Sequence, residues 1–190
     1  MALPKPVAGL IVRYSYLWYR EHLEGRDEGQ KDRPCAIIAA LRVDEAGDMR
    51  VLVLPITHTP PDHPALAVEI PAVVKRRLRL DDASSWVVLS EWNEFVWPGP
   101  DLRRLPNATD ASVAYGMLSP GLFATIREKF LAIINAGKAH QVPDRNNYPM
   151  LTPVMARRCC KTNAARKLIS STRREAWPAK YRISSISSEG

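Results

Sequence analysis

Three segments in the first 57 residues have the hydrophobic pattern of β-strands. Apolar and polar side chains partly alternate in residues 7–19, which predicts a long half-buried strand. Residues 33–41 and 51–57 are largely apolar runs, too short for ordinary helices and bounded by Asp, Gly and Pro. The alternating side chains that the first strand places on one face are Leu10, Val12, Tyr14, Tyr16 and Trp18.

The second and third predicted strands are joined by a polar loop, residues 44–48, which contains Gly47 and has the length of a hairpin connection. The two strands are therefore expected to be antiparallel neighbours. In such a pair the start of the first strand lies beside the end of the second. We expect Arg33 and Thr57 to share one rim of the sheet, and this rim is the predicted functional site.

The segment that connects the first two strands, residues 19–32, is strongly polar and contains Gly25 and Gly29. We interpret it as a mobile hairpin loop whose first half is able to form a helical turn. A long charged loop directly before a candidate site is typical of a functional loop or lid.

The rest of the core is predicted to combine short strands with two helices. Residues 66–70, 86–90 and 91–97 have strand patterns, and residues 120–136 have the period of an amphipathic helix that closes the fold.

A shorter helix is predicted after Pro71, which suits the first helical turn. Val73, Val74 and Leu78 form its apolar face, whereas Lys75 and the neighbouring arginines are expected to face solvent.

Several short strands with one closing helix indicate a mainly β fold, either a small, partly open β-barrel or a curled sheet. Beyond residue 137 no apolar period continues, and Arg and Lys become frequent. We therefore predict a barrel domain over residues 1–137 and a basic, disordered tail over residues 138–190.

The charge is distributed unevenly along the chain. The formal net charge is +7, but residues 138–190 alone carry 11 basic and 3 acidic residues, which leaves 16 basic and 17 acidic residues in the remainder. A basic balance favours a polyanionic partner such as nucleic acid. In this chain the basic excess, and with it the tendency to bind a polyanion, lies in residues 138–190.

Other features bear on the cell compartment. No apolar run is long enough to span a membrane, and the N-terminus lacks the long apolar stretch of a signal peptide. Three cysteines do not form a disulfide framework, which indicates reduced thiols in a cytoplasm. Cys159 and Cys160 have no further His or Cys at ligand spacing, so neither a metal site nor a cofactor is predicted.

Several motifs, in order and spacing, resemble those of the MazF/PemK (Kid) toxin family. They are the strand after Gly9, the polar loop that ends in Glu28 and Arg33-Pro34, the apolar strand that follows, Leu54-Pro55-Ile56-Thr57, and Val87-Val88-Leu89-Ser90-Glu91. The resemblance covers about residues 7–135 and leaves the basic tail unmatched.

The resemblance implies a small SH3-like barrel of the CcdB/MazF type, usually a homodimer. It also implies a metal-independent endoribonuclease that cleaves single-stranded RNA. The ribose 2′-OH attacks the adjacent phosphate and leaves a 2′,3′-cyclic phosphate and a 5′-OH end. Such a protein is the toxin of a type II toxin–antitoxin system, and its partner is an acidic antitoxin protein.

The resemblance also assigns roles to four residues. Arg33 matches the family's catalytic arginine, whose guanidinium fork suits a phosphate. Thr57 matches the threonine whose hydroxyl bonds a phosphate oxygen. Glu28 matches an acidic residue that orients the arginine or transfers a proton. Glu91 matches an acidic residue that some members use near the site.

Two further residues are assigned to substrate binding from their positions. His58 directly follows Thr57 and would serve as an acid or base near neutral pH if it points to the rim of Arg33. Trp92 alternates away from Glu91, so we expect it to be exposed for base stacking or for a dimer contact.

Ordinary structural roles compete with each of these assignments. Arg33 can be a surface ion-pairing residue, Thr57 a β-branched strand former, and His58 a solvated turn residue. Trp92 can belong to the core, and Glu28 can be solvated.

A second hypothesis for the whole protein keeps the barrel and drops catalysis. The protein would then bind RNA or protein, or inhibit a cellular enzyme such as gyrase, as the related CcdB toxins do. Many family members have an acid, Gln, one residue and Arg, where this chain has Glu91-Trp92-Asn93-Glu94, and this difference favours the second hypothesis. The presence of Arg33 and Thr57 favours the nuclease.

Overall fold

Strands make up most of the regular structure in the computed structural model of the chain, which describes residues 3–42, 49–106, 108 and 112–142. In chain order, the elements are β1 (Leu10–Ser15), α1 (Tyr19–Leu23), β2 (Asp32–Arg42), β3 (Met49–Thr57), a 3-10 turn (Pro64–Leu66), β4 (Ala67–Glu69), α2 (Ala72–Arg77), β5 (Trp86–Val88), β6 (Glu91–Trp97), β7 (Ala114–Met117), α3 (Pro120–Asn135) and β8 (His140–Val142).

The described strands form one curled sheet of eight strands. Six of them follow the order β4-β5-β3-β2-β1-β7, while β6 pairs with β3 and β8 pairs with β6. The pairs are antiparallel, apart from the parallel pair of β6 and β8. The mainly β class and the curled sheet predicted from the sequence are confirmed.

The β2–β3 pair confirms the predicted antiparallel neighbours. Cys35 lies opposite Pro55, and the register shifts by one residue between Ile37 and Ala39, where β2 contains a bulge. The predicted hairpin loop, residues 44–48, lies outside the described residues.

One buried cluster of the core lies on one face of β1, β2, β3 and β6, and the opposite face is buried as well, at Ile11, Ala36 and Leu54. The half-buried strand predicted for β1 is confirmed on one face only: Leu10, Val12 and Tyr14 are buried, but Ile11 and Ser15 on the opposite face are buried as well. The buried members of this cluster are Leu10, Val12, Tyr14, Tyr16, Cys35, Ile37, Val51, Val53 and Phe95. The strand itself is shorter than predicted, since it ends at Ser15 and the chain turns into α1 four residues later.

The predicted closing helix is confirmed as α3. Ser119 occupies its N-cap position and Pro120 its first turn, although the Ser119 side chain makes no capping hydrogen bond. Ile126, Phe130 and Ile133 recur at helical spacing and are buried. Among the described helices, none has the length and apolar character needed to cross a membrane.

The predicted orientation of α2 is wrong at two positions. Lys75, expected in solvent, is buried, whereas Val73, expected in the apolar face, is 64% exposed. The burial of Lys75 is possible because three oxygen acceptors surround its ammonium group: Asp81 Oδ1 at 3.0 Å, Ser85 Oγ at 2.7 Å and the carbonyl of Ala83.

Two strands were not predicted. β7 has four residues, pairs with the edge of β1 and is only partly buried, so its sequence carries little hydrophobic pattern. β8 lies beyond the predicted boundary at residue 137, and its Val142 is 1% exposed. The described fold therefore extends at least to Val142. The rest of the predicted tail lies outside the described residues.

Candidate functional site

Arg33 and Thr57 lie toward the same end of the β2–β3 pair, where β2 begins and β3 ends. Arg33 pairs with Tyr14 of β1. Cys35 pairs with Pro55, and continuing this antiparallel register by two residues places Arg33 opposite Thr57. Because residues two apart on a strand share a face, both side chains lie on the face of Cys35.

Arg33 is held by an aromatic ring. Its guanidinium carbon lies 5.1 Å from the centre of the Trp18 ring, within the range of a cation–π interaction. Its Nε atom is buried and has no hydrogen-bond partner among the described atoms. In the described part of the chain, no carboxylate lies within ion-pair distance of Arg33. Its charge is therefore available to an anionic ligand.

The positive charge of Arg33 affects the pKa of two buried side chains, the Tyr16 phenol and the Cys35 thiol. Tyr16 packs edge-on against Trp18, with 5.2 Å between ring centres, and its hydroxyl is buried without a described hydrogen-bond partner. Burial raises the pKa of Tyr16 well above its ordinary value, the negative charge of Glu91 raises it further, and Arg33 opposes both effects. Burial likewise raises the pKa of the Cys35 thiol, against the charge of Arg33. Both groups are neutral at physiological pH.

Glu91, the first residue of β6, lies beside this group. One carboxylate oxygen accepts a hydrogen bond of 2.6 Å from the backbone N–H of Tyr19. Burial raises the pKa of Glu91, the Tyr19 N–H opposes that shift, and the charge of Glu21 adds to it. The structure therefore brings Glu91 into the electrostatic neighbourhood of Tyr16.

The segment that carries Trp18 is fastened to β6 and to α1. The Asn93 side chain accepts a hydrogen bond from the Leu17 N–H at 3.1 Å and donates one to the Leu17 carbonyl at 2.8 Å. The buried Glu21 carboxylate accepts a hydrogen bond from the Trp18 N–H at 3.1 Å, which satisfies a free donor at the start of α1. These bonds fix the position of the ring under Arg33.

Thr57 is 9% exposed, and its hydroxyl accepts a hydrogen bond from the Thr59 N–H at 3.2 Å. This bond orients the hydroxyl oxygen and leaves its proton available for donation. Thr57 also pairs with Trp86 of β5, which holds the end of β3 on that side.

Glu28 is exposed, in the segment between α1 and β2. The next residue, Gly29, lies so close to the Tyr16 backbone that a Cβ atom would overlap it. The Ser15 hydroxyl also donates a hydrogen bond of 3.3 Å to the Gly29 carbonyl. These contacts hold the segment next to Glu28 against the end of β1.

His58 belongs to a different cluster. Its Nε2 atom lies 2.9 Å from Asp81 Oδ2, and its Nδ1 atom lies 3.1 Å from the Ser85 hydroxyl. Partial burial acts to raise the pKa of Asp81, but the hydrogen bond from Lys75 and the nearby charges of His58 and Lys75 lower it overall. In the structure His58 therefore contacts Asp81 and Ser85, which lie in the loop before β5.

Trp92 is not exposed, and the expectation that it offers a stacking surface is wrong. Its side chain is 4% exposed and packs edge-on against Phe130 of α3, with ring centres 5.7 Å apart. Trp92 is buried because α3 covers the face to which it points, and the next three residues of β6 are buried as well.

Sequence reasoning missed the roles of Tyr16 and Trp18 around Arg33. Both were predicted on the core-facing side of the first strand. The signal that would have found them is the β1–β2 pairing, which places Arg33 on the same face as Tyr14.

Within the described ranges, no three His, Cys, Asp or Glu side chains gather as metal ligands. A comparison with protein-family models finds no match, and neither does a comparison with curated proteins.

Proposed function

We propose that this protein is an endoribonuclease with an SH3-like barrel, of the MazF/PemK type, that cleaves single-stranded RNA through its own 2′-OH. The observation that carries the proposal is the state of Arg33. Its guanidinium lies at the sheet end of Thr57, stacks on Trp18 and has no described carboxylate partner. Arginines that bind phosphate need such an uncompensated, fixed charge.

Attack by the 2′-OH creates a phosphorane with additional negative charge, which a nearby guanidinium stabilises. Arg33 supplies this charge in the proposal. Thr57 donates its hydroxyl proton to a phosphate oxygen while the Thr59 N–H holds its oxygen in place. Glu28 orients the arginine or transfers a proton, and Glu91 contacts the substrate beside Tyr16. This chemistry requires no metal or cofactor.

The proposal includes the family's partners and location. The protein acts on RNA in the cytoplasm, as a homodimer, and an acidic antitoxin neutralises it. Arg33 supports this partner choice, because the same uncompensated charge that binds a phosphate also binds a carboxylate of an acidic segment.

A second candidate function is supported by the burial of Thr57. Its side chain is 9% exposed, and one oxygen of Glu91 is already bonded to Tyr19. A barrel with these groups engaged in its own structure binds RNA or protein, or inhibits an enzyme such as gyrase, without cutting RNA.

The test incubates the purified full chain with long single-stranded RNA in EDTA and maps the ends of the products. The nuclease predicts 2′,3′-cyclic phosphate and 5′-OH ends, and losses of at least about a hundredfold in rate for Arg33→Ala and Thr57→Val. Arg76→Ala, which removes the same charge from an exposed position of α2, is the control and should cleave normally.

Two outcomes decide between the candidates. Intact RNA over many sequences, together with binding that depends on Arg33, supports the binding protein. Cleavage that survives Arg33→Ala contradicts both the proposed site and the proposed mechanism.

A further inference from the structure

The structure contains two buried hydrogen-bond donors without described acceptors in one small region, the Tyr16 hydroxyl and the Arg33 Nε–H. Both side chains contact the Trp18 ring, and the charge of Arg33 acts on the Tyr16 phenol. A buried donor without an acceptor lowers the stability of the folded protein. Two such donors in one region indicate that an acceptor is supplied from outside the chain.

The missing acceptor has a definite chemistry. The guanidinium of Arg33 is a fixed cation with no described carboxylate partner, and the phenol of Tyr16 is neutral because burial raises its pKa. Both groups therefore present protons to a ligand. A ligand that accepts hydrogen bonds and carries negative charge fits both requirements, and a phosphodiester oxygen is such a group.

We propose that Tyr16 is a third ligand of the RNA phosphate, and that its hydroxyl donates a hydrogen bond to the same phosphodiester that Arg33 binds. This inference rests on the proposed function for the identity of the anion. It adds a residue that lies in the middle of the core pattern, where sequence reasoning predicted packing alone.

Access to the hydroxyl requires a local rearrangement when the phosphate binds, because the Tyr16 side chain is fully buried. The guanidinium of Arg33 is held by the Trp18 ring and by no described ion pair. A phosphate that approaches Arg33 therefore breaks no described salt bridge. Tyr16 itself keeps its ring contact with Trp18.

The test measures binding and stability in the same variants. The probe is a fluorescent single-stranded RNA pool whose sugars are all 2′-O-methylated, so that it lacks the attacking hydroxyl and cannot be cut by the proposed reaction. We expect Tyr16→Phe to weaken binding about tenfold, the effect of losing one hydrogen bond to a charged acceptor. In the Arg33→Ala background, Tyr16→Phe should cause little further loss, because both residues bind one phosphate.

A stability measurement distinguishes a role of the Tyr16 hydroxyl in RNA binding from a role in the structure of the folded protein. Tyr16→Phe removes a hydroxyl that has no described partner, so the midpoint of urea unfolding should stay unchanged or rise. Tyr14→Phe, the same change two residues earlier in the chain and also at a buried tyrosine, is the matched control and should leave RNA binding unchanged.

Three outcomes would overturn the inference: no binding of the probe by the unmodified protein, equal binding by Tyr16→Phe, or a loss of binding that accompanies a comparable loss of stability. Failure of the nuclease alone is distinguishable from these. Uncut RNA, together with probe binding that depends on Tyr16, would reject cleavage and support Tyr16 as an anion ligand.

Discussion

The guanidinium carbon of Arg33 lies 5.1 Å from the centre of the Trp18 ring, so the start of β2 is joined to the turn between β1 and α1. The ring restricts the guanidinium without neutralising it, because a cation–π contact leaves the N–H groups at the guanidinium edge available. A carboxylate in the same place would have occupied those donors. This contact explains how the site keeps an arginine both fixed and charged.

Replacement of Trp18 by Leu should weaken RNA binding about 2- to 30-fold, because a cation–π contact contributes about 0.5–2 kcal/mol. The measurement is fluorescence anisotropy with the 2′-O-methyl RNA pool. Trp97→Leu is the matched control, since Trp97 is also partly buried but packs near Phe95. Equal effects of the two variants would contradict a specific role for Trp18.

Replacement of the buried Lys75 by Met should lower the free energy of unfolding by about 2 kcal/mol. The change keeps the aliphatic stem but leaves Asp81, Ser85 and the Ala83 carbonyl without the ammonium donor. Urea unfolding gives the value. Lys129→Met, on the exposed face of α3, should change stability by less than about 0.5 kcal/mol. A Lys75 variant as stable as this control would show that the cluster contributes nothing.

Glu91→Gln should stabilise the protein at neutral pH. Because the pKa of Glu91 is higher in the folded chain than in the unfolded chain, its contribution to stability is present at low pH and is lost as the pH rises through the folded pKa. Glutamine cannot ionise and can still accept the Tyr19 N–H. Urea unfolding should therefore show a gain over the unmodified protein at about pH 8 that disappears near about pH 4.

The control for this pH effect is Glu128→Gln, at an exposed position of α3. Its stability difference from the unmodified protein should depend little on pH. A gain for Glu91→Gln that is equal at both pH values would mean that ionisation of Glu91 is not its cause.

Val142→Ala should lower the free energy of unfolding by about 2 kcal/mol, because Val142 is 1% exposed in β8. The result tests whether the fold includes residues beyond 137. Val73→Ala, at a side chain that is 64% exposed, is the control and should have a small effect measured by the same urea titration. Equal stabilities would place β8 outside the cooperative fold.

The local pattern was sufficient for the elements whose side chains repeat with a regular period. The apolar runs of β2 and β3 and the helical spacing of Ile126, Phe130 and Ile133 each predict buried positions directly. The antiparallel pairing of β2 with β3 followed from a short loop. These predictions succeeded because each depends on interactions between residues that are close in sequence.

Lys75 and Trp92 show where the local pattern fails. The local pattern predicted a solvent-facing Lys75 and, from its alternation away from Glu91, an exposed Trp92. Lys75 is buried because Asp81, Ala83 and Ser85 fold back over it, and Trp92 is buried because α3 packs on its face. In both cases the partner comes from another element, and the sequence of the residue's own element does not specify it.

The sequence by itself therefore determined the mainly β class, the hairpin that brings Arg33 and Thr57 to one end of the sheet, and the closing helix. Only the tertiary structure decided the surroundings of Arg33, namely the Trp18 ring and the buried Tyr16 hydroxyl. The reason is physical. Periodicity specifies which face of an element is buried, whereas the partner of an individual polar group depends on the register and closure of strands that are distant in sequence.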